Sequence, residues 1–499
     1  MKVLLVSPEF PDTYWSFRHA LPFEGKRCVF PPLGLLTVSS LLPSSVERKL
    51  VDLNIEPLKT SHLEWADMVF ITGMLAQKVS LHDVVRQAKE LGKKVVLGGP
   101  YVTSTIEELP HADHIFQGEA ETTLPQFFID LERGEAKQIY KAPERPPMSI
   151  SPVPDFELAD IKKYSCMSVQ YSRGCPFSCE FCDIIEIYGR VPRTKSNHQI
   201  LGELDRLKDL GWRGPLFIVD DNFIGNKKNV RQLLPELVEW QKRNGNPFSL
   251  LTEASVNLAD DDELLGNMRD AGFRRVFLGI ETPIEESLKE AQKSQNRGNL
   301  LESVKKIQSY GMEVMGGFIV GFDNDPDDIF ERQIEFIRES AIPLAMVGML
   351  NALPDTQLWR RLEREGRLLG ADATGNNTIS TLNFITKMDE ARLISGYQRI
   401  MKTIYKPREY YERALDSLRR TAHDTPEPTP YNFLDEIRAL FKLVLKLGVI
   451  DRERKEFWRF FIKAIRKHHD RMTESLRLAA MGYHFRKLSD SYETVQTEV

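Results

Sequence analysis

The sequence predicts an α/β protein with two parallel sheets and a helical C-terminal part, on three observations. Short apolar, β-branched runs alternate with amphipathic stretches as far as about residue 350; five prolines crowd into residues 143–155; and helical patterning takes over after Asp389. Strands buried on both faces and separated by helices imply parallel sheets. A stretch with five prolines in thirteen positions can be neither helix nor central strand, and it marks a linker. The expected parts are a doubly wound domain over residues 1–145, a partial barrel of six β/α units over 146–370 and a helical domain over 371–499.

In the first part, strands are expected at 3–6, 50–53, 68–72, 95–97 and 114–116, with helices at 80–91 and 121–132. Ligands of such sheets lie beyond the carboxyl ends of the strands. The candidates there are Ser7 and Pro8, Thr72, Met74 and Gln77, Gly98 and Gly99, and Gly118 with Glu119. The absence of a G-x-G-x-x-G run argues against a nicotinamide cofactor. His82, placed at a helix start, reads as an exposed surface residue.

In the second part, strands are expected at 166–171, 216–219, 248–253, 275–280, 313–320 and 344–350, with helices near 197–210, 228–243, 260–271, 297–310 and 326–339. Active residues of β/α barrels sit at the strand C-terminal ends. The first strand runs directly into Cys175, Cys179 and Cys182, a C-x3-C-x2-C loop with Gly174 and Pro176 bending the backbone. A [4Fe–4S] cluster takes four thiolates, so three from one loop leave one iron open to another ligand. Zinc prefers four protein ligands, and no His lies in this loop. Disulfides do not suit three neighbouring cysteines in a sequence that shows no secretory signal. Cys28 and Cys166 read as buried thiols. The other strand ends carry Asp220 and Asp221, Glu253 and Ser255, and Glu281. Carboxylates beside apolar strands are costly without partners, and a ligand rich in hydroxyl and ammonium donors would satisfy them.

The cysteine segment QYSRGCPFSCEFCDIIEIYGR at 170–190, DDNFIGNK at 220–227 and GGFIVGFD at 316–323 resemble the radical S-adenosylmethionine (SAM) proteins with a cobalamin-binding domain. PPLGL at 31–35, GGP at 98–100 and GEAE at 118–121 extend the likeness to the first domain. The branch includes hopanoid C-2 methylases and the C-methyltransferases that modify bacteriochlorophyll side chains. The resemblance implies a cluster on Cys175, Cys179 and Cys182, SAM chelating the fourth iron, and cleavage of SAM to a 5′-deoxyadenosyl radical. Methylcobalamin would then deliver a methyl group to an unactivated carbon of a small-molecule, apolar substrate: a lipid, isoprenoid or tetrapyrrole. Electrons would come from a flavodoxin or ferredoxin.

The resemblance further implies Glu253, Ser255 and Glu281 at the ribose and amino group of SAM, Phe181 flanking the adenine, and Arg190 or Arg193 at the carboxylate. The Asp220–Asn222 turn stands where the family carries Gly-Gly-Glu. No D-x-H-x-x-G occurs, so the lower face of cobalamin is expected against non-ligating residues of the Met74–Gln77 loop. Two alternatives stand beside this reading. One is radical C–C or ring formation on a lipid without methyl transfer; the other is a zinc-stabilised binding or sensor protein.

Bulk properties set the partners. A net charge of −5 argues against a general nucleic-acid binder, and no eighteen-residue apolar run suits a membrane span. The expected location is the cytoplasm. The C-terminal part, with Tyr405, Tyr410 and Tyr411 and a proline run at 425–430, reads as a helical cap on the barrel. Its basic, amphipathic stretch at 453–469 is the alternative: a helix lying on an anionic membrane surface.

Overall fold

The computed structural model describes the protein except residues 106–108, 110, 297, 371–374, 377, 379–380, 422–427, 429–432 and 492–499. The proline run at 425–430 therefore lies outside the described residues, apart from Pro428. Two six-stranded sheets carry the fold, and every pairing within them is parallel.

The first sheet runs β2-β1-β3-β4-β5-β6. Its strands are β1 (Lys2–Ser7), β2 (Glu47–Asp52), β3 (Met68–Thr72), β4 (Lys94–Gly98), β5 (His114–Gln117) and β6 (Ile139–Lys141). Five strands match the expected positions, and β6 adds a short edge that its three residues did not announce. The edge strand β2 begins three residues before the expected position, because Glu47, Arg48 and Lys49 keep exposed or half-exposed side chains while still pairing with β1. The order reverses between β1 and β3, which opens a crevice beyond their carboxyl ends. His82 departs from expectation: the helix Lys78–Glu90 starts before it, and its ring is half-buried with Nε2 2.9 Å from the Tyr101 hydroxyl.

The second sheet runs β7-β10-β11-β12-β13-β14 in sequence order, the winding of an incomplete barrel. Its strands are β7 (Met167–Val169), β10 (Gly214–Ile218), β11 (Phe248–Ala254), β12 (Phe273–Glu281), β13 (Glu313–Val320) and β14 (Ala345–Met349). Between β7 and β10, the short strands β8 (Ser172–Arg173) and β9 (Arg193–Thr194) pair antiparallel and clasp the cysteine loop.

An open barrel has two strand edges whose backbone groups need partners. At β14, the Tyr405 hydroxyl receives the Ala345 N–H (3.0 Å) and donates to the Ala345 carbonyl (2.7 Å), and the Tyr14 hydroxyl donates to the Val347 carbonyl (2.6 Å). Ahead of β7, Ser165 N–H and Cys166 N–H bond the carbonyls of Cys28 and Val29 at 3.0 and 2.9 Å. Residues 14–30 thus belong to the barrel's core as much as to the first domain: Trp15 stacks on Phe217 with ring centroids 6.0 Å apart. Cys28 and Cys166 are part of this seam, and burial pushes both thiols up to about 12.

Of the C-terminal helices Glu390–Ile404, Pro407–Arg420, Phe433–Leu443, Arg454–Lys467 and Met472–Ser491, the first packs against β14 and the last packs against the other four. Asp389 caps the first by accepting from Arg392 N–H at 2.9 Å. Tyr410, fully buried here, lies against Gly482, where an added Cβ would sit 2.2 Å from its ring. Gly482→Ala should cost about 2 kcal/mol of stability by overpacking, measured by urea unfolding; an unchanged midpoint would mean that this helix crossing is looser than described.

Candidate active site

The cysteine loop takes its shape from residues far from it in sequence. At Gly174, φ is +97°, and an added Cβ would meet the Gly189 carbonyl oxygen at 2.8 Å, so only glycine lets the backbone turn here. Asp220, at the end of β10, accepts from Tyr171 N–H (2.8 Å) and Ser172 Oγ (2.7 Å), and Asp221 accepts from Gly174 N–H (3.0 Å). The turn expected to touch SAM therefore anchors the backbone leading into the cysteine loop. Asp220 is buried with both carboxylate oxygens engaged, which corrects its expected role.

Two amides address the sulfurs. Gln295 Nε2 donates to Cys179 Sγ at 3.3 Å, and Asn222 Nδ2 lies 3.9 Å from Cys175 Sγ while also donating to Ser255 Oγ at 3.2 Å. Ser255 in turn donates to Asn257 Oδ1 at 2.6 Å. Amide donors at thiolate sulfur suit a cluster, since hydrogen bonds to the sulfurs tune its potential. Burial raises the Cys175 and Cys182 thiols above their ordinary value, so metal must displace their protons. Among the described residues, no three His, Cys, Asp or Glu side chains are grouped to hold a single metal ion. A cube instead spreads its three cysteines over three irons.

Glu281 sits at a bulge between β12 and β13 with φ +64°, a conformation that costs a non-glycine residue about 1 kcal/mol or more. The bulge brings its carboxylate onto Lys293, and the Lys293 ammonium lies 5.7 Å over the Phe181 ring. Burial opposes the charge on Lys293, but Glu281 and the thiols of Cys179 and Cys182 outweigh it and hold the ammonium above its usual range. Glu253 has no hydrogen-bond partner among the described residues. Burial, with Asp221 and Asp220 nearby, pushes it up to about 8, and burial pushes Asp221 up to about 7. This is a carboxylate floor short of donors.

The first sheet presents its own candidates along one edge. Ser7, Thr72 and Gly98 close three neighbouring strands, β1, β3 and β4, and Gly118 follows β5. Gln77 is not free: its amide donates to the Pro8 carbonyl at 2.5 Å and its oxygen receives Met74 N–H at 2.9 Å. That clamp fixes the loop from which Met74 projects, 53 % exposed. Gly99 has φ +98°, and an added Cβ would overlap Thr72 Oγ1, which holds β3 and β4 close at their ends. The exposed thioether and small strand-end residues fit a flat, largely apolar ring system.

Glu119 joins the two halves. It pairs with Arg193 at 2.5 Å and with Arg173 at 2.6 Å, and Arg173 also pairs with Glu121 at 2.8 Å, all with side chains less than a fifth exposed. Arg173 and Arg193 belong to β8 and β9, the strands that clasp the cysteine loop. Arg193 is committed to Glu119 instead of a ligand carboxylate, and Arg190 is exposed with one long contact to the Pro176 carbonyl at 3.4 Å.

Comparison with known proteins agrees with this geometry. A B12 binding domain matches residues 28–128, the radical SAM superfamily residues 169–337, and a domain of unknown function, DUF4070, residues 356–497. A hopanoid C-2 methylase of Rhodopseudomonas palustris is 37 % identical, over 93 % of this chain and 89 % of its own. The chain belongs to the cobalamin-dependent radical SAM methyltransferases. An uncharacterized methyltransferase of Synechocystis sp. is 42 % identical over 97 % of this chain and 91 % of its own. In fold, the cobalamin-dependent SAM radical enzyme OxsB, solved with aqua-cobalamin and SAM, aligns at TM-score 0.62 with 17 % identity, over 99 % of this chain and 80 % of that one.

As a radical SAM methyltransferase, the protein uses a [4Fe–4S] cluster, SAM and cobalamin. Among the described residues, no helix is long and apolar enough to cross a membrane. Sequence reading missed Lys293 and Gln295, which approach the cysteine loop only through the fold, and it placed Asn222 in the turn after β10 without its contact to Cys175.

For a methyltransferase with Glu253 raised from 4.5 to about 8, the linkage sign is definite. The native state holds a proton that the unfolded state releases, so the stabilisation is full below about pH 4.5 and lost as pH rises through about 8. Glu253→Gln should remove this dependence, gaining roughly 4 kcal/mol on the wild type between about pH 5 and pH 9 in anaerobic urea unfolding without SAM. Parallel pH profiles would contradict the buried, donor-poor setting.

Proposed function

We propose that this methyltransferase adds a methyl group to an unactivated carbon of a large apolar substrate, a polycyclic isoprenoid or tetrapyrrole, with electrons from a flavodoxin or ferredoxin and in the cytoplasm. For the reaction, the supporting observation is the Glu119 clamp, which ties the ligand edge of the first sheet to the strands clasping the cysteine loop. For the substrate class, the support is the similarity to a hopanoid C-2 methylase along nearly the whole sequence. The proposed domain limits are 1–145, 146–370 and 371–499.

When bound, the cluster supplies the electron that cleaves SAM, and cobalamin supplies the methyl group. The protein's own work is positional. Cys175, Cys179 and Cys182 would hold three irons, with the Gln295 and Asn222 amides directed at two of the sulfurs. The Lys293 ammonium, beside Phe181 and charge-balanced by Glu281, is the cation set to meet the SAM carboxylate, a role expected of Arg190 or Arg193. Glu253, whose carboxyl burial pushes up to about 8, can donate as well as accept toward ribose hydroxyls. Met74, exposed on the loop beyond β3, would help hold cobalamin through apolar contact of its polarizable thioether. Holding these groups in a shared dry space lowers the entropic cost of bringing radical, substrate and methyl donor together.

Anaerobic incubation with methyl-labelled SAM, cobalamin, reductant and a hopanoid-containing lipid extract tests the reading. Mass spectrometry should find labelled methyl on a polycyclic lipid, with S-adenosylhomocysteine and 5′-deoxyadenosine both formed and neither arising with Cys179→Ala. Deoxyadenosine without S-adenosylhomocysteine would favour radical ring or C–C bond formation instead.

A further inference from the structure

We propose that the paired C-terminal segments 433–450 and 454–467 form a docking surface for an anionic lipid bilayer. The inference stands apart from the substrate reading, because it rests on where apolar and cationic side chains lie on the surface. Nine of the twenty large apolar side chains more than a third exposed among the described residues fall between 434 and 465. Such crowding on a folded surface marks an interaction site.

The pattern is that of helices lying flat on an interface. In the helix Phe433–Leu443, Leu434, Ile437 and Phe441 recur at i, i+3 and i+7, and Phe441 is 65 % exposed. The π-helical stretch Val444–Ile450, wound more widely than an α-helix, carries Val449 and Ile450 outward, the latter 60 % exposed. In the helix Arg454–Lys467, Trp458, Ile462 and Ile465 recur at i, i+4 and i+7, while Phe457, Phe460 and Ala464 of the same helix are buried in the protein. The two segments are joined at their near ends, where Trp458 Nε1 donates to the Gly448 carbonyl at 2.9 Å, setting the indole beside Val449 and Ile450. The result is a second apolar face in addition to the one that packs on the core.

Charge decides what would cover that face. Residues 433–469 carry ten Lys and Arg against five Asp and Glu, in a protein whose net charge is −5. Lys455, Lys463 and Arg466 are exposed and have no partner among the described residues. Lys455 stands one turn before Trp458, and Arg466 one turn after Ile462, so cations flank the apolar stripe. A second copy of this protein would bring like charges together across the face. A bilayer with anionic headgroups meets both features, the apolar stripe entering the acyl boundary and the cations resting among the headgroups.

Vesicle flotation of the full-length protein, which needs no cofactor, tests the proposal. The protein should float with phosphatidylcholine vesicles containing phosphatidylglycerol, stay behind with phosphatidylcholine alone, and be released by salt. The triple variant Lys455→Gln, Lys463→Gln, Arg466→Gln should partition about a hundredfold more weakly, at roughly fivefold per cation. Phe441→Ser with Ile450→Ser should also lose binding, and all these variants should keep the wild-type unfolding temperature because each side chain is exposed. Absence of flotation with anionic vesicles, or equal binding by the wild type and the triple variant, would overturn the proposal. So would a concentration-dependent dimer abolished by Phe441→Ser without vesicle binding, which would assign the face to a second copy.

Discussion

Three thiolates drawn from one eight-residue loop can reach only three corners of an iron–sulfur cube, and the rest of the structure serves that constraint. The loop has no regular structure to hold it. Its shape is imposed from outside by the Asp220 and Asp221 carboxylates, by the β8–β9 clasp and by the close approach of Gly174 to the Gly189 carbonyl. Hydrogen bonds from backbone N–H groups to buried carboxylates are strong because one partner is charged. Placing them at the start of the loop lets a flexible, thiol-rich segment keep one geometry.

The second dependency is between domains. An open barrel leaves edges that another element must cover, and here the segment before the barrel and the helices after it divide the task. Residues 28–29 satisfy the backbone just ahead of β7, while Tyr14 and Tyr405 satisfy carbonyls of β14. The pairing of Glu119 with Arg173 and Arg193 places a charged latch across the same junction, close to the cysteine loop. Removing one partner of such a buried pair costs about 3–5 kcal/mol, since it leaves an uncompensated charge. The latch is therefore a positional device whose parts stand or fall together.

Strand positions, the barrel order and the three cysteines were legible because they depend on local pattern: apolar runs, turn glycines and a fixed thiol spacing. Side-chain roles were legible only where a residue acts alone. Asp220 looked like a ligand contact because an acidic residue at a strand end has two uses, and only the fold shows that Tyr171 N–H and Ser172 take both its oxygens. Arg193 likewise looked free until Glu119, seventy-four residues earlier, came beside it. Lys293 and Gln295 gave no sequence signal beyond being polar; Gln295 meets Cys179 across 116 residues. His82 was misjudged because its partner, Tyr101, lies on another element.

The bare iron is the claim on which the remainder hangs, and magnetic resonance of the reduced protein under anaerobic conditions addresses it directly. With SAM carrying isotopic labels at its amino nitrogen and carboxylate oxygen, the reduced cluster should show hyperfine coupling to both labels, placing the amino acid end of SAM on one iron. A cluster whose signal is indifferent to labelled SAM, or a protein that binds no cluster at all, would contradict the account.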